Sequence, residues 1–309
     1  MNELCWNGPF QFFPSFDDFK DLRGTFIANC IFNGFLTYTA ILLNIITIYV
    51  IQKTATLPKT LKTLLTSLAV SDVIIGLVGQ PTYISFLASW FKWGDPSCNA
   101  YRWLMISATL FSLASFLGVV AISVDRFLAI HLHLRYQELV TRTRVVTLVI
   151  SIWVFSAFVS LMVLWVSVSI YTAIVAVTIV CGFIVNIVVY IRIFLIVQQH
   201  KNQIQSLQVL ETSQSGEMTN FAGLIKSTVG VLYVFLVFLV CYLPCTISVV
   251  VIMINGPSIT LKRFFLCSLT LVYLNSSLNP VIYCWKMRHI RQAIMATMRN
   301  ISNRRRPSR

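Results

Sequence analysis

Asp72 lies in Leu68-Ala69-Val70-Ser71-Asp72, and no other charged residue occurs from Thr63 to Phe91. A carboxylate at bilayer depth costs about 3 kcal/mol even on insertion scales, so its residue type in this setting asks for partners and for a function. Asn44, Ser115, Asn275, Ser276 and Asn279 also interrupt apolar runs, where an unpaired amide or hydroxyl is itself costly. They are expected to converge with Asp72 on one polar core. Other chemistries are poorly supplied. The four histidines, His131, His133, His200 and His289, fall at or beyond the ends of the apolar runs, so a zinc hydrolase inside the bilayer lacks ligands. A transporter pathway would call for repeated halves or several intramembrane charges, and one Asp is too few. Cys241 and Cys245, one turn apart, read as small packing residues rather than metal ligands. The chain is not expected to be an enzyme.

The elements that position these groups follow from composition. At 57% hydrophobic, 11% charged and a mean hydropathy of +0.79, water cannot solvate this chain as a globule. A span needs about 20 apolar residues. Seven runs qualify, near 26–51, 62–88, 100–131, 145–166, 169–197, 222–254 and 264–285. They lack barrel alternation, so helices are the spanning element. No charge occurs from Val145 to Ile191, and a turn at Ser167-Val168-Ser169 is expected to divide spans four and five. With the amino terminus outside, 18 of the 24 Lys and Arg residues face the cytoplasm, so the net charge of +14 is mostly positive-inside bias. Arg304-Arg305-Arg306 then suits anionic inner-leaflet lipid better than nucleic acid. The first 24 residues contain no signal-peptide h-region, so no cleavage is expected.

Further motifs mark the spans. The third ends in Asp125-Arg126-Phe127, Trp153 marks the fourth and Tyr190 the fifth. The sixth carries Phe238, Tyr242 and Pro244, and the seventh Asn275, Asn279, Pro280 and Tyr283, with each proline permitting a kink. With one such marker per span in this order, the chain resembles the rhodopsin-like (class A) G-protein-coupled receptors. Within them it resembles the adenosine, melanocortin and cannabinoid cluster, through Asp125-Arg126-Phe127 leading to Leu134-Arg135-Tyr136, a minimal loop between spans four and five, and Gly182 where a proline is usual.

The resemblance implies an all-α membrane protein, a seven-transmembrane helix bundle with a short amphipathic eighth helix. Its parts would be an extracellular tail (1–25), the receptor domain (26–285), helix eight (286–298) and a basic cytoplasmic tail (299–309). It implies a multi-pass plasma-membrane receptor that transduces an extracellular small ligand to a heterotrimeric G protein by outward movement of the sixth helix. Membrane lipids, arrestin and receptor kinases are further implied partners. Arg126 would release Asp125 and meet the G protein, Tyr190 and Tyr283 would close over the opened cavity, and Leu134 would insert into Gα. Asp72, Ser115, Asn275, Ser276 and Asn279 match the family's allosteric sodium pocket, a donor set suited to a hard cation. The alternative is a divergent seven-helix protein that does not signal or signals constitutively.

Departures narrow the ligand. Ala108 stands where aminergic receptors carry an aspartate, Tyr273 where opsins carry lysine, and Val249 where adenosine receptors carry asparagine. The remaining pocket comprises Ala108, Phe111, Ser112, Tyr242, Cys245, Val249, Leu269 and Tyr273, rimmed by Arg102, Lys262 and Arg263. A lipid-like or neutral hydrophobic ligand suits it. Cys5 and Cys98 are disulfide candidates, with connectivity open and Cys267 near the same face. Leu224 stands where many members place an acid facing Arg126, so raised basal activity is expected. Leu224→Glu should then lower ligand-independent signalling by about fivefold in a G-protein dissociation assay, and equal levels would remove the missing-lock reading.

Overall fold

The computed structural model describes residues 12–13, 18–54, 57–93, 97–132, 135–207, 215–286 and 291–292. Among the described residues, seven helices are long and apolar enough to cross a membrane. They are α1 (Phe19–Lys53), α2 (Lys59–Ile74, running through a π turn Ile75–Gly79 into Gln80–Trp93), α3 (Cys98–Leu132), α4 (Arg142–Leu161), α5 (Val168–Leu207), α6 (Ser215–Asn255) and α7 (Ile259–Lys286). A one-turn helix, Tyr136–Leu139, follows α3. Most helices outrun the apolar segments that define them, because a helix continues past the hydrocarbon until a cap or a turn residue stops it.

The packing is inverted relative to a water-soluble bundle. Lipid offers no drive to hide apolar side chains, so Val177, Val180, Ile184 and Val188 of α5 remain exposed. The polar side chains turn inward instead: Asn44, Asp72, Ser115, Asn275 and Asn279 are each at most 1% exposed. α1 is fastened to α7 by polar links, with Asn33 Nδ2 donating to Thr270 Oγ1 (2.9 Å) and Thr39 hydrogen-bonded to Ser277 (2.9 Å).

Proline and serine chemistry sets the local shape. Pro81 has no N–H to give, and the turn before it widens so that the Gln80 N–H reaches the Ile75 carbonyl, five residues back. Pro280 likewise leaves the Ser276 carbonyl without its helical donor. Asn44 Nδ2 of α1 fills that vacancy at 2.8 Å, so one proline creates the acceptor that ties α1 to the middle of α7.

The division between α4 and α5 falls slightly earlier than the sequence suggests. A 3-10 turn, Met162–Leu164, is followed by Trp165 and Val166, whose N–H groups both donate to the Met162 carbonyl at 3.0 Å. Ser167 is the cap of α5 rather than the centre of the turn, its hydroxyl accepting from the Ile170 N–H at 3.4 Å. α7 also begins earlier than expected, at Ile259, because Ser258 accepts from the Leu261 N–H in the same way. Gly256 closes the preceding helix with φ of 81°, a left-handed cap that favours glycine.

Gly182 has a packing reason. A Cβ built there would stand 2.4 Å from Phe116 Cε1, so the absent side chain makes room for a buried ring of α3. That ring meets Phe183 edge-on at 5.0 Å and Tyr242 at 5.8 Å. Gly182→Ala is expected to destabilise the bundle by about 1 to 3 kcal/mol through overpacking, read as a lower melting temperature in detergent. Combining it with Phe116→Leu should recover part of the loss, and a melting temperature unmoved by Gly182→Ala would contradict the contact.

Candidate functional site: a polar core between two bundle ends

Three sets of side chains share the bundle axis. At one end Arg126 is 1% exposed and donates Nε to Asp125 Oδ2 at 3.0 Å, with a second guanidinium contact to the same oxygen. The other carboxylate oxygen accepts from the Tyr136 hydroxyl at 2.6 Å, and Tyr136 is hydrogen-bonded to Thr60 of α2 at 3.0 Å. Both oxygens of Asp125 are thus occupied, and the one-turn helix after α3 is locked to α2 through them. Burial, ahead of the neighbouring Asp125 carboxylate, pushes the Tyr136 phenol up to about 12. Tyr190 is hydrogen-bonded to Ser123 at 3.2 Å and stacks on Phe235 of α6, while Tyr283 is fully buried with its hydroxyl unpartnered. Leu224 is half-buried, and the ion pair of Arg126 among the described residues is with Asp125. Leu134 and most of the expected eighth helix lie outside the described residues.

At mid-depth, Asp72 is fully buried between α2, α3 and α7. Ser115 Oγ donates to Oδ1 at 3.3 Å and Asn279 Nδ2 to Oδ2 at 2.8 Å. The Ser276 hydroxyl faces the same carboxylate without closing a bond to it. Asn275 is less integrated, for neither of its amide atoms has a hydrogen-bond partner, and Asn279 Oδ1 is also open. Asn44 joins this layer through the Ser276 carbonyl rather than through Asp72.

Toward the amino-terminal end lies a cavity of about 150 Å³. Ala108, Ser112, Tyr242, Cys245, Val249, Leu269 and Tyr273 line it. Phe111 does not, and this corrects the sequence expectation. On α3 the lining positions 105, 108, 112 and 116 share one face, and Phe111 sits about a third of a turn away, its ring packed against Trp153 of α4 at 6.4 Å. Trp153 in turn donates to Ser67 of α2. The basic rim is also altered. Lys262 is buried in an ion pair with Asp18 at 2.6 Å, and Arg263 donates to the Asp21 carbonyl at 3.0 Å, so both are engaged by the chain's own first turn; Arg102 is half-buried.

Sequence reasoning missed the wall made by α5, with Thr172, Val175, Ala176 and Ile179, and the contribution of Phe12. Helical spacing from a correctly placed α5 start would have found the former. Nothing in the sequence singles out Phe12 among the amino-terminal aromatics. Several hydroxyls around the cavity are spent on the protein: Tyr242 donates to the Ser112 carbonyl at 3.2 Å, Thr109 bonds Tyr171, and Thr246 donates to the Tyr242 carbonyl. Among the described residues, no Asp, Glu, Lys or Arg lines it. Cys98 is disulfide-bonded, and its candidate partner Cys5 lies outside the described residues.

Seven spanning helices around an internal polar core, with a cavity at one end and a covered acid-arginine pair at the other, are the build of a seven-helix receptor. Residues 43–169 and 163–283 match the 7 transmembrane receptor (rhodopsin family), and the chain belongs to that family. It is a G-protein-coupled receptor and a multi-pass membrane protein, not an enzyme. It is 28% identical over 257 residues to the histamine H2 receptor of Canis lupus familiaris, covering 75% of this chain and 68% of that one. The Homo sapiens histamine H2 receptor is 27% identical over 248 residues, covering 73% and 66%. The chain thus spans about two thirds of the length of these relatives. A shorter match, 40% over 90 residues, joins it to the muscarinic acetylcholine receptor gar-2 of Caenorhabditis elegans, covering 28% of this chain and 14% of that one.

Tyr136→Phe should free one oxygen of Asp125 and cost about 1 kcal/mol of stability at neutral pH. The sign of the pH effect follows from a raised value: the neutral phenol is favoured in the folded chain, so its contribution is complete below about 10 and lost as pH rises toward about 12. Thermal melts of both chains should converge across that window. A constant difference through it would mean that Tyr136 does not titrate where it packs.

Proposed function

We propose that this receptor binds a small, neutral and largely apolar ligand in the cavity at the amino-terminal end and reports it to a heterotrimeric G protein at the Arg126 end, with the amino terminus outside the plasma membrane. The observation that carries the reading is the cavity itself: among the described residues no ionised side chain lines it, and the Tyr242, Tyr171, Thr109 and Thr246 hydroxyls are already paired. Some of the similar receptors are named for histamine or acetylcholine, both cations. A cation here would have Ala108 beside it and no carboxylate, at a desolvation cost that nothing offsets. The positive-inside distribution supports the orientation, since it places Arg126 and the basic tail on the cytoplasmic side.

Transmission follows from the packing. Tyr242 forms part of the cavity floor, stacks on Phe238 at 5.2 Å, and lies two residues before Pro244 in α6. A ligand that fits the cavity better when α6 is displaced shifts the equilibrium toward the displaced state by that difference in affinity. Arg126, covered in the state described, is then free to meet the G protein, with Tyr190 and Tyr283 near the opened space. Lipids, arrestin and receptor kinases complete the expected partners.

The polar layer suits a sodium ion. Asp72 supplies the charge, Ser115 and Asn279 hold its carboxylate, and the unpartnered Ser276 hydroxyl and Asn279 Oδ1 are oxygens available to a hard cation. A bound ion would supply positive charge that offsets the desolvated carboxylate and would favour the compact arrangement. Asn275 would contribute through its own unpaired amide oxygen.

A G-protein dissociation assay tests the reading. Neutral hydrophobic compounds should activate the parent chain, amines should not, and Arg126→Ala should reduce the response about tenfold or more. Raising sodium should lower basal signalling in the parent and leave Asp72→Asn unaffected. Activation by amines alone, or equal sodium responses in the two chains, would count against the ligand class and the ion site respectively.

A further inference from the structure

We propose that the outer cavity recognises uncharged aromatic groups, and that the chain's own Phe12, locked in place by Phe13, is its resident occupant, which an external ligand must displace. This rests on the receptor reading above. Phe12 lines the cavity and is 3% exposed, and its ring centroid lies 5.9 Å from that of Phe265. Phe13 has no exposed surface at all. Its ring meets Phe86 of α2 at 4.9 Å, Tyr101 of α3 at 5.7 Å and Phe265 of α7 at 5.5 Å, each edge-to-face. These distances and tilts fall where aromatic pairs attract beyond simple burial. Three helices are therefore bridged near their outer ends by one inserted side chain.

The cavity behind Phe12 has matching chemistry. Six further rings line it, from Tyr101, Phe116, Tyr171, Tyr242, Phe265 and Tyr273. An alkyl chain would fill the volume but forgo the ring-edge contacts, and a polar group would find the Tyr242 and Tyr171 hydroxyls already engaged. The start of α1 is anchored independently of these rings. Asp18, five positions after Phe13, is paired with the buried Lys262 at 2.6 Å, and Arg263 holds the Asp21 carbonyl. Two cations at the start of α7 thus fasten the amino-terminal side of α1 beside the insert. In the same structure Arg126 is covered, so an occupant of this arrangement stabilises the resting state by its preference for it.

Cys245 gives a direct readout, because it is a free thiol that lines the cavity. The uncharged reagent 2-hydroxyethyl methanethiosulfonate, which the apolar cavity can admit, is applied to intact cells displaying the full chain, and the signal of the Cys245→Ala counterpart is subtracted. Phe12→Ala combined with Phe13→Ala should label at Cys245 at least about tenfold faster than the parent, since two buried rings no longer hold the entrance. Asp18→Asn, which keeps both rings but loosens the anchor, should label about threefold faster. Acetyl-Phe-Phe-amide added outside should slow labelling of the double variant, and n-octanol should not. Equal rates in parent and variants overturn the proposal. If the double variant does not reach the surface, the Asp18→Asn rate decides alone, an unchanged rate being the overturning result. Slowing by octanol as strong as by the peptide removes the aromatic preference. Labelling needs no G protein, so a chain that labels as expected and fails to signal counts against the functional reading only.

Discussion

A carboxylate removed from water has to be held by its neighbours, and the way Asp72 is held organises the bundle around it. Ser115 brings α3 to one oxygen and Asn279 brings α7 to the other, so a single charge on α2 fixes the relative depth of three helices. In a lipid surround the apolar faces of those helices could slide past one another at little cost. The polar contacts supply the register that apolar packing does not. Incomplete satisfaction of the layer matters equally. Ser276 and Asn275 keep unpaired polar atoms in full burial, which is costly as a resting arrangement and is the condition under which an additional cation or a rearranged network gains most.

The prolines belong to the same accounting of backbone groups. Pro280 strips a donor from α7, and Asn44 of α1 supplies one from outside the helix. The kink is consequently not a loose hinge. It is a joint whose freed carbonyl has a specific partner, and α1 is drawn into the polar layer although it contributes nothing to Asp72 itself. Pro81 is accommodated differently, by a wider turn within α2, and the Gly76 backbone there approaches α1 so closely that a Cβ would stand 2.8 Å from Ile41. One residue type thus produces a borrowed donor in one helix and a change of winding in another, according to what the neighbouring helix offers.

Much of this was legible in the sequence because the bilayer restricts the possibilities. Apolar runs of span length and a few polar interruptions were enough for seven helices and for the convergence of Asp72, Ser115 and Asn279. The turn between α4 and α5 was harder, since hydropathy is uniform there and only the capping role of Ser167 distinguishes the end of one helix from the start of the next. Phe111 illustrates a finer limit. Its type suits an aromatic pocket, but the helical phase that separates it from Ala108 and Ser112 turns it toward Trp153. Lys262 and Arg263 read as a basic rim because their partners, Asp18 and the Asp21 carbonyl, lie more than 240 positions earlier in the sequence. Contacts of that separation leave no local pattern, and the burial of Phe12 and Phe13 was hidden for the same reason.

The layered arrangement also explains how a chain less than one third identical to histamine H2 receptors over most of its length can keep the family's build while, among the described residues, no carboxylate lines its cavity. The residues that fasten helices through Asp72, Asn44 and Asp125 act on backbone and neighbouring side chains, and none of them touches the cavity directly. The cavity residues, in turn, are free to vary in charge as long as they keep the helices apart by the right distance. Tyr242 is where the two sets meet. Its ring forms part of the cavity, stacks on Phe238 and lies near Phe116, while its hydroxyl spans from α6 to the Ser112 carbonyl of α3. A phenol here adds a hydrogen bond across the two helices whose separation would change in the proposed displacement of α6. Displacement of α6 therefore has to break a bond as well as a stack, and a ligand's influence on that step is set by whether it leaves the phenol its acceptor.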